Sequence, residues 1–293
     1  MKETALATIL RTGPGTSVQD LGRTGMARFG VPLSGAMDLR SLRWVNHLLQ
    51  NDENAAVLEI SQPGFSLRFS APTCIALAGA LTEARLNGAS VANSTILPVH
   101  AGDRLEIGAL AKGARLYLGV KKGFQTPEIL GSRSFYKNLT DQSFLSKEST
   151  LPYHPDSTLP QRQHAKARWS GDWFDTDTLS VHPGPDFPLL DKAQRKRLLE
   201  EAFTLSNLAD RMGMQLVEPL PNELPELPTN PVFPGMVQLT AGGKLLVLLR
   251  DAQVTGGYPR VLFLEEESQW VLAQKKPGDQ IRFCLAKSQE TRD

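Results

Sequence analysis

Short apolar runs separated by Gly and Pro dominate the chain. They fall at residues 5–10, 74–78, 105–107, 115–120, 178–181, 237–240 and 245–249. Runs of this length at turn-punctuated spacing predict the strands of a barrel or sandwich. Helical spacing is confined to three places. Asp38 is placed to cap a helix over residues 39–49, in which Leu42, Val45, Leu48 and Leu49 share a face. Residues 190–203 predict a second helix, with Leu198, Leu199 and Ala202 apolar. Residues 266–274 predict a third, short one. The basic stretch 192–197 reads as a solvated helix face.

Two segments break this pattern. Residues 146–168 are rich in Ser, Thr, Pro, His and Gln and predict a polar loop or linker. It would separate an N-terminal β-domain (1–145) from a C-terminal β-domain (169–293). Residues 218–234 carry Pro219, Pro221, Pro225, Pro228, Pro231 and Pro234, and each removes a backbone donor. That stretch predicts an extended connector rather than a central strand. There is one internal echo. Residues 101–107 and 277–283 both place a Gly-Asp turn before an alternating strand, Gly102-Asp103 and Gly278-Asp279.

Composition narrows the function classes. Lys plus Arg is 32 against 31 for Asp plus Glu, so no electrostatic footprint points to nucleic acid or an anionic membrane. No apolar run approaches the roughly 20 residues that span a bilayer, and the N-terminal apolar run is too short for a signal peptide. A cytoplasmic protein is expected. Cys74 and Cys284 both sit in apolar runs and read as buried strand residues rather than a disulfide framework or zinc site. The five histidines show no ligand spacing, so no metal is expected. P-loop, dinucleotide and nucleophile-elbow motifs are missing, as is a biotin-attachment sequence. Chemistry here must rely on carboxylates, Arg and hydroxyls.

Four segments hold such groups at high density. The first runs from Gly13 through Gln19, Asp20 and Arg23 to Ser34-Gly-Ala-Met-Asp38. Its glycines allow either close ligand approach or tight turns at a barrel rim. The second is Leu130-Gly-Ser-Arg-Ser134, whose Arg133 is a natural fork for a carboxylate or phosphate, or the partner of a structural Asp. The third is Asp210-Arg-Met-Gly213, with Asp210 and Arg211 as binding candidates or local ion-pair members. The fourth, Asp251 to Pro259, gathers Asp251, Gln253, Thr255 and Tyr258 after an apolar strand. It reads as a pocket rim, with a Gly-Gly hairpin as the alternative.

These segments together resemble the allophanate hydrolase subunit 2 family, also called the KipA or biotin-dependent carboxyltransferase family. Residues 16–23, 30–38, 58–60, 130–134, 210–213, 251–259 and 277–283 match it in order. The resemblance implies a mainly β fold of cyclophilin-like β-barrel units with a few short helices. It implies an ATP-dependent enzyme that opens 5-oxoproline to glutamate. The expected partners are a KipI-like 5-oxoprolinase B-type component and an A-type component. ATP would bind with the partner, and no biotin would be attached to this chain. Other members move carboxyl from biotin to urea, or bind a kinase inhibitor. On the matching positions, Asp251, Gln253, Thr255 and Tyr258 would orient the ring amide. Gln19, Asp20, Asp38, Arg133, Asp210 and Arg211 would bind substrate, with Arg133 or Arg211 on its carboxylate or a phosphoryl group. Val254 stands where the family usually has a second Thr.

Overall fold

The computed structural model describes residues 3–159, 171–225 and 227–286. The chain divides into two compact units. One comprises residues 1–24 and 34–172, the other 25–33 and 173–293.

The first unit is built on a nine-stranded sheet. Its strands are β1 (Ala5–Arg11), β2 (Ser17–Gln19), β3 (Val57–Ile60), β4 (Phe65–Phe69), β5 (Thr73–Leu86), β6 (Ala89–Val91), β7 (Ile96–Val99), β8 (Arg104–Val120) and β9 (Thr150–Tyr153). The order is β2-β3-β8-β4-β1-β9, and the long strand β5 pairs with β6, β7 and β8. In β4 the alternation is plain. Phe65, Leu67 and Phe69 are buried in the core, and Arg68 between them points to solvent. Helix α1 (Leu39–Leu49) begins at Asp38, whose carboxylate accepts from the Ser41 N–H at 3.0 Å. Its stripe of Leu42, Val45 and Leu49 is fully buried against β5 and β8. At about 1.5–3 kcal/mol per buried side chain, that stripe holds the helix in place.

The expected polar loop from residue 146 contains β9, which pairs with β1 through Ala5↔Tyr153 and Ala7↔Leu151. Leu151 and Tyr153 enter the core, and the polar composition of their neighbours conceals them. Residues 160–168 of that segment lie outside the described residues. Just beyond β9, Asp156 accepts an ion pair from Lys122 at 2.7 Å. The Lys122 ammonium, against the opposing effect of burial, lowers the Asp156 carboxyl to about 2. A carboxyl lowered in the folded state stabilises fully above its unfolded value near 4 and loses that contribution as pH falls toward 2. Lys122→Met should therefore flatten the acid limb. Urea midpoints of parent and variant, measured from pH 5 to pH 2, should converge at the acid end; a constant gap would contradict this.

The second unit is a closed barrel. Its strands are β10 (Thr178–Pro183), β11 (Phe203–Ala209), β12 (Gly213–Leu216), β14 (Met236–Leu239), β15 (Leu245–Leu248), β17 (Arg260–Leu264) and β18 (Gln280–Leu285). They close in the order β10-β17-β14-β15-β12-β11-β18. The mainly β, barrel-based fold expected from the sequence is the fold observed. A separate pair, β13 (Asn230–Pro231) with β16 (Thr255–Gly256), lies off the barrel. Helix α2 (Lys192–Glu200) is shorter than expected because Asp191 caps it through a capping box with Gln194 and Phe203 already belongs to β11. Helix α3 (Glu266–Ala273) follows β17. Cys74 is buried as expected, but Cys284 is exposed. Ile281 and Phe283 take the inward positions of β18, so Cys284 has outward parity.

The repeated Gly-Asp turn is the same device twice. Gly102 and Gly278 both have φ of +90°. Asp103 accepts from the His100 N–H, and Asp279 from the Lys276 N–H, each at 2.7 Å. One turn launches β8 and the other β18.

Candidate functional site

In the first unit the glycine-rich signature and the Arg133 loop meet at Asp20. Gly131 and Leu130 have positive φ (76° and 53°), which folds residues 129–132 into a tight turn closed by an Ile129↔Ser132 bridge. Asp20, 1% exposed, collects the donors of that turn. Its Oδ1 accepts from Ser132 Oγ and Ser134 Oγ at 2.6 Å each and from the Gly22 N–H at 2.8 Å. Its Oδ2 accepts from the Arg133 N–H at 2.6 Å. Arg23 is buried alongside and donates to the carbonyls of Ile129 (3.1 Å) and Ser134 (2.5 Å). Gln19 donates to Ser17 Oγ at 2.9 Å, while its buried Oε1 has no hydrogen-bond partner among the described residues. The Arg133 guanidinium donates to the Thr126 carbonyl and lies 3.9 Å from Glu128, with its side chain 27% exposed.

Asp38 belongs to a second buried cluster. Both its oxygens are taken by Ser41, through the main-chain N–H at 3.0 Å and the hydroxyl at 2.5 Å. Its own N–H donates to Tyr117 Oη at 2.9 Å, and that hydroxyl donates to Glu59 Oε2 at 2.7 Å. The same Glu59 oxygen accepts from the Met37 N–H at 2.8 Å, and Arg115 lies 3.9 Å from the other. Burial, reinforced by Glu59 and Asp38, pushes the Tyr117 phenol well above its ordinary value. That phenol therefore stays a proton donor to Glu59. Ser34, four residues before Asp38, has φ of +55° and a buried hydroxyl with no hydrogen-bond partner among the described residues. Sequence reasoning did not single out Glu59 or Tyr117 as functional. For Glu59 a signal was present, an ionisable residue among Val57, Leu58 and Ile60, and the structure buries all four positions.

In the second unit Arg211 and Asp251 form a forked pair. Nε meets Oδ2 at 2.8 Å and Nη2 meets Oδ1 at 3.1 Å. Asp210 turns away from it and accepts from the N–H groups of Met212 (2.7 Å) and Gly213 (3.0 Å), which fixes the turn between β11 and β12. Asp210, Leu208, Met212, Leu246 and Gln253 line an open groove of about 490 Å³. Thr255, the first residue of β16, and Tyr258 just beyond that strand are both exposed. The four residues of the 251–258 cluster thus divide: Asp251 is buried in an ion pair, and Gln253, Thr255 and Tyr258 face solvent. A second fork, Arg260 Nε to Asp186 Oδ2 at 2.9 Å, joins β17 to the loop after β10 and had no sequence signature. Burial raises the Asp186 carboxyl, but the hydrogen bonds and charge of Arg260 outweigh it and the net shift is downward.

The chemistry available is acid–base and hydrogen-bonding chemistry of carboxylates, hydroxyls, amides and guanidinium groups. Among the described residues no group of three or more His, Cys, Asp or Glu is arranged to hold a metal ion. Among them, too, no helix is long and apolar enough to cross a membrane.

Comparison with known proteins fits this architecture. The family model "Carboxyltransferase domain, subdomain A and B" matches residues 29–285. The chain is similar to the C component of 5-oxoprolinase from Escherichia coli (strain K12), at 32% identity over 96% of this chain and 92% of that one. It is 30% identical to urea amidolyase of Lachancea kluyveri over 93% of this chain, but spans only 16% of that protein. The crystal structure of the K. lactis urea amidolyase superimposes with a TM-score of 0.84 at 26% identity, over 98% of this chain and 19% of that one.

Proposed function

The chain belongs to the carboxyltransferase domain family, subdomains A and B, and from that premise we propose that it is the C component of an ATP-dependent 5-oxoprolinase. One observation carries the reading. The likeness to the E. coli protein runs along nearly the full length of both chains, whereas the likeness to urea amidolyase is confined to a small part of a much longer chain. The partners would be a KipI-like B-type component and an A-type component, and the compartment the cytoplasm, where the exposed thiol of Cys284 stays reduced.

A lactam amide is a poor electrophile. Transfer of the γ-phosphoryl group of ATP to its oxygen, releasing ADP, activates the ring carbon. Water then adds at that carbon and the carbon–nitrogen bond breaks, leaving an acyl phosphate that a second water hydrolyses to glutamate and phosphate. ATP would be held with the partner components. On this chain Arg133 would hold the substrate carboxylate, since its side chain is partly exposed. Gln253, Thr255 and Tyr258 are free to orient the ring amide. Asp251, already forked by Arg211, would position that loop rather than accept a proton.

The test is 5-oxoproline-dependent ATP hydrolysis and glutamate release by this chain assembled with its B- and A-type partners, against mixtures lacking it. Activity that requires the chain supports the reading. Arg133→Ala should then lower turnover about 100-fold, the worth of a lost charge-assisted fork, with an unchanged unfolding midpoint. The second reading, suggested by the urea amidolyase likeness, is a carboxyltransferase component. An assembled complex that is inactive on 5-oxoproline but moves carboxyl from biotin to urea would establish it instead. Assembly without turnover in either assay would leave only a binding role toward the KipI-like partner.

A further inference from the structure

A row of paired residues crosses the outer face of the first unit's sheet. Arg11 on β1 pairs with Ser66 on β4, Ser66 with Glu106 on β8, and Glu106 with Arg85 on β5. Directly paired positions share a face, so all four side chains stand on one surface. At about 4.8 Å per strand, the two arginines start about 14 Å apart and flank the Ser66–Glu106 pair from both sides. The row floors a groove of about 390 Å³.

Three donors of this groove have no protein partner among the described residues. No ion pair or side-chain hydrogen bond engages Arg11 or Arg85 there. The Ser66 hydroxyl is buried and equally unpartnered, with the residue only 3% exposed. A buried hydroxyl without a partner is uncommon and calls for an explanation. Gly64 seats the Arg11 guanidinium: a Cβ there would collide with Arg11 Nη2, so only the absence of a side chain lets the guanidinium lie over the groove. The acidic groups are accounted for. Glu106 is held by Arg104 at 2.8 Å, and Glu83 stands exposed at the rim. Arg11, Arg85 and Arg104 against Glu83 and Glu106 leave a lining charge of +1.

From this we propose that the groove binds a small carboxylate, with Arg11 and Arg85 as its charged donors and Ser66 as the hydroxyl donor beneath it. A lining of +1 matches a monoanion better than a phosphate dianion, which the two carboxylates would repel. The proposal rests on the geometry of the first unit alone and is independent of the 5-oxoprolinase reading.

The test is titration of the ¹⁵N-labelled full chain with sodium acetate, with sodium chloride holding ionic strength constant. The arginine Nε–Hε signals are the readout. Arg11 and Arg85 should shift together along one saturable curve, while Arg104, engaged by Glu106, should not. Ser66→Ala should weaken acetate about fivefold, the worth of one hydrogen bond. Arg11→Gln should abolish the Arg85 response. Non-saturable shifts, shifts reproduced by chloride, or an Arg85 response that survives Arg11→Gln would each overturn the site. So would an unchanged affinity in Ser66→Ala. Phosphate binding more tightly than acetate would overturn the carboxylate assignment.

Discussion

Asp251→Ala is expected to destabilise the barrel unit by about 3 kcal/mol, more than any other single change among the predicted residues of that unit. The Arg211–Asp251 fork has side chains only 10% and 11% exposed. Removing one partner of a nearly buried pair leaves the other charge without compensation, at about 3–5 kcal/mol. Arg cannot shed its charge, so Asp251→Ala leaves a permanent, nearly buried cation without its carboxylate. Arg211→Ala should cost less, because a stranded carboxyl takes up a proton. Replacing both by Met and Leu should cost less than Asp251→Ala alone, since the desolvation penalty disappears with the pair. Hydrogen exchange at barrel amides of the two singles and the double measures all three. Losses that simply add would show that the residues act separately and that the fork contributes little.

This expectation changes the meaning of the 251–258 segment. Four polar residues within eight positions suggest convergence on a ligand, and spacing alone contains no information about pairing across the barrel. The partner of Asp251 lies 40 positions earlier, in the turn between β11 and β12. What remains available to a ligand is the exposed trio of Gln253, Thr255 and Tyr258.

Local signals were legible in the sequence where the physics is local. Asp38 caps α1, Leu42, Val45 and Leu49 of its expected stripe are buried while Leu48 is only half-buried, and the two Gly-Asp turns have the hydrogen bonds their residues imply. Strand β9 was hidden because only Leu151 and Tyr153 of its four residues are both apolar and buried, amid polar neighbours. Cys284 was misplaced because an apolar run does not declare its parity until Ile281 and Phe283 are seen facing inward. The Asp38–Tyr117–Glu59 cluster joins three segments; the sequence marked Asp38 as a cap and, through the resemblance, as a substrate binder, and 58–60 as a matching segment, but nothing in it tied either to Tyr117. Its register comes from the pairing of β3 with β8, Glu59↔Tyr117, a long-range fact.

Asp20→Ala should be the most damaging substitution in the first unit, with an expected loss of about 4 kcal/mol. Four donors converge on its carboxylate, from Gly22, Ser132, Arg133 and Ser134. The two hydroxyls can rotate toward other acceptors, but the N–H groups of Gly22 and Arg133 cannot. Each such buried donor left unmade costs about 1–3 kcal/mol, and the lost bonds were charge-assisted. Asp20→Asn keeps one acceptor oxygen and should lose about half as much. Because Asp20 fixes the backbone of Arg133 rather than its guanidinium, stability and turnover should separate the two residues. Arg133→Ala retains the N–H bond to Asp20 and should lose turnover at constant stability. Asp20→Asn retains the guanidinium and should lose stability first, with turnover falling only as far as the 130–134 turn loosens. Urea unfolding and reconstituted turnover on the same two variants decide the matter. If Asp20→Asn abolished turnover with an unmoved midpoint, Asp20 would be contacting substrate directly, and the carboxylate would have to leave its four donors to do so.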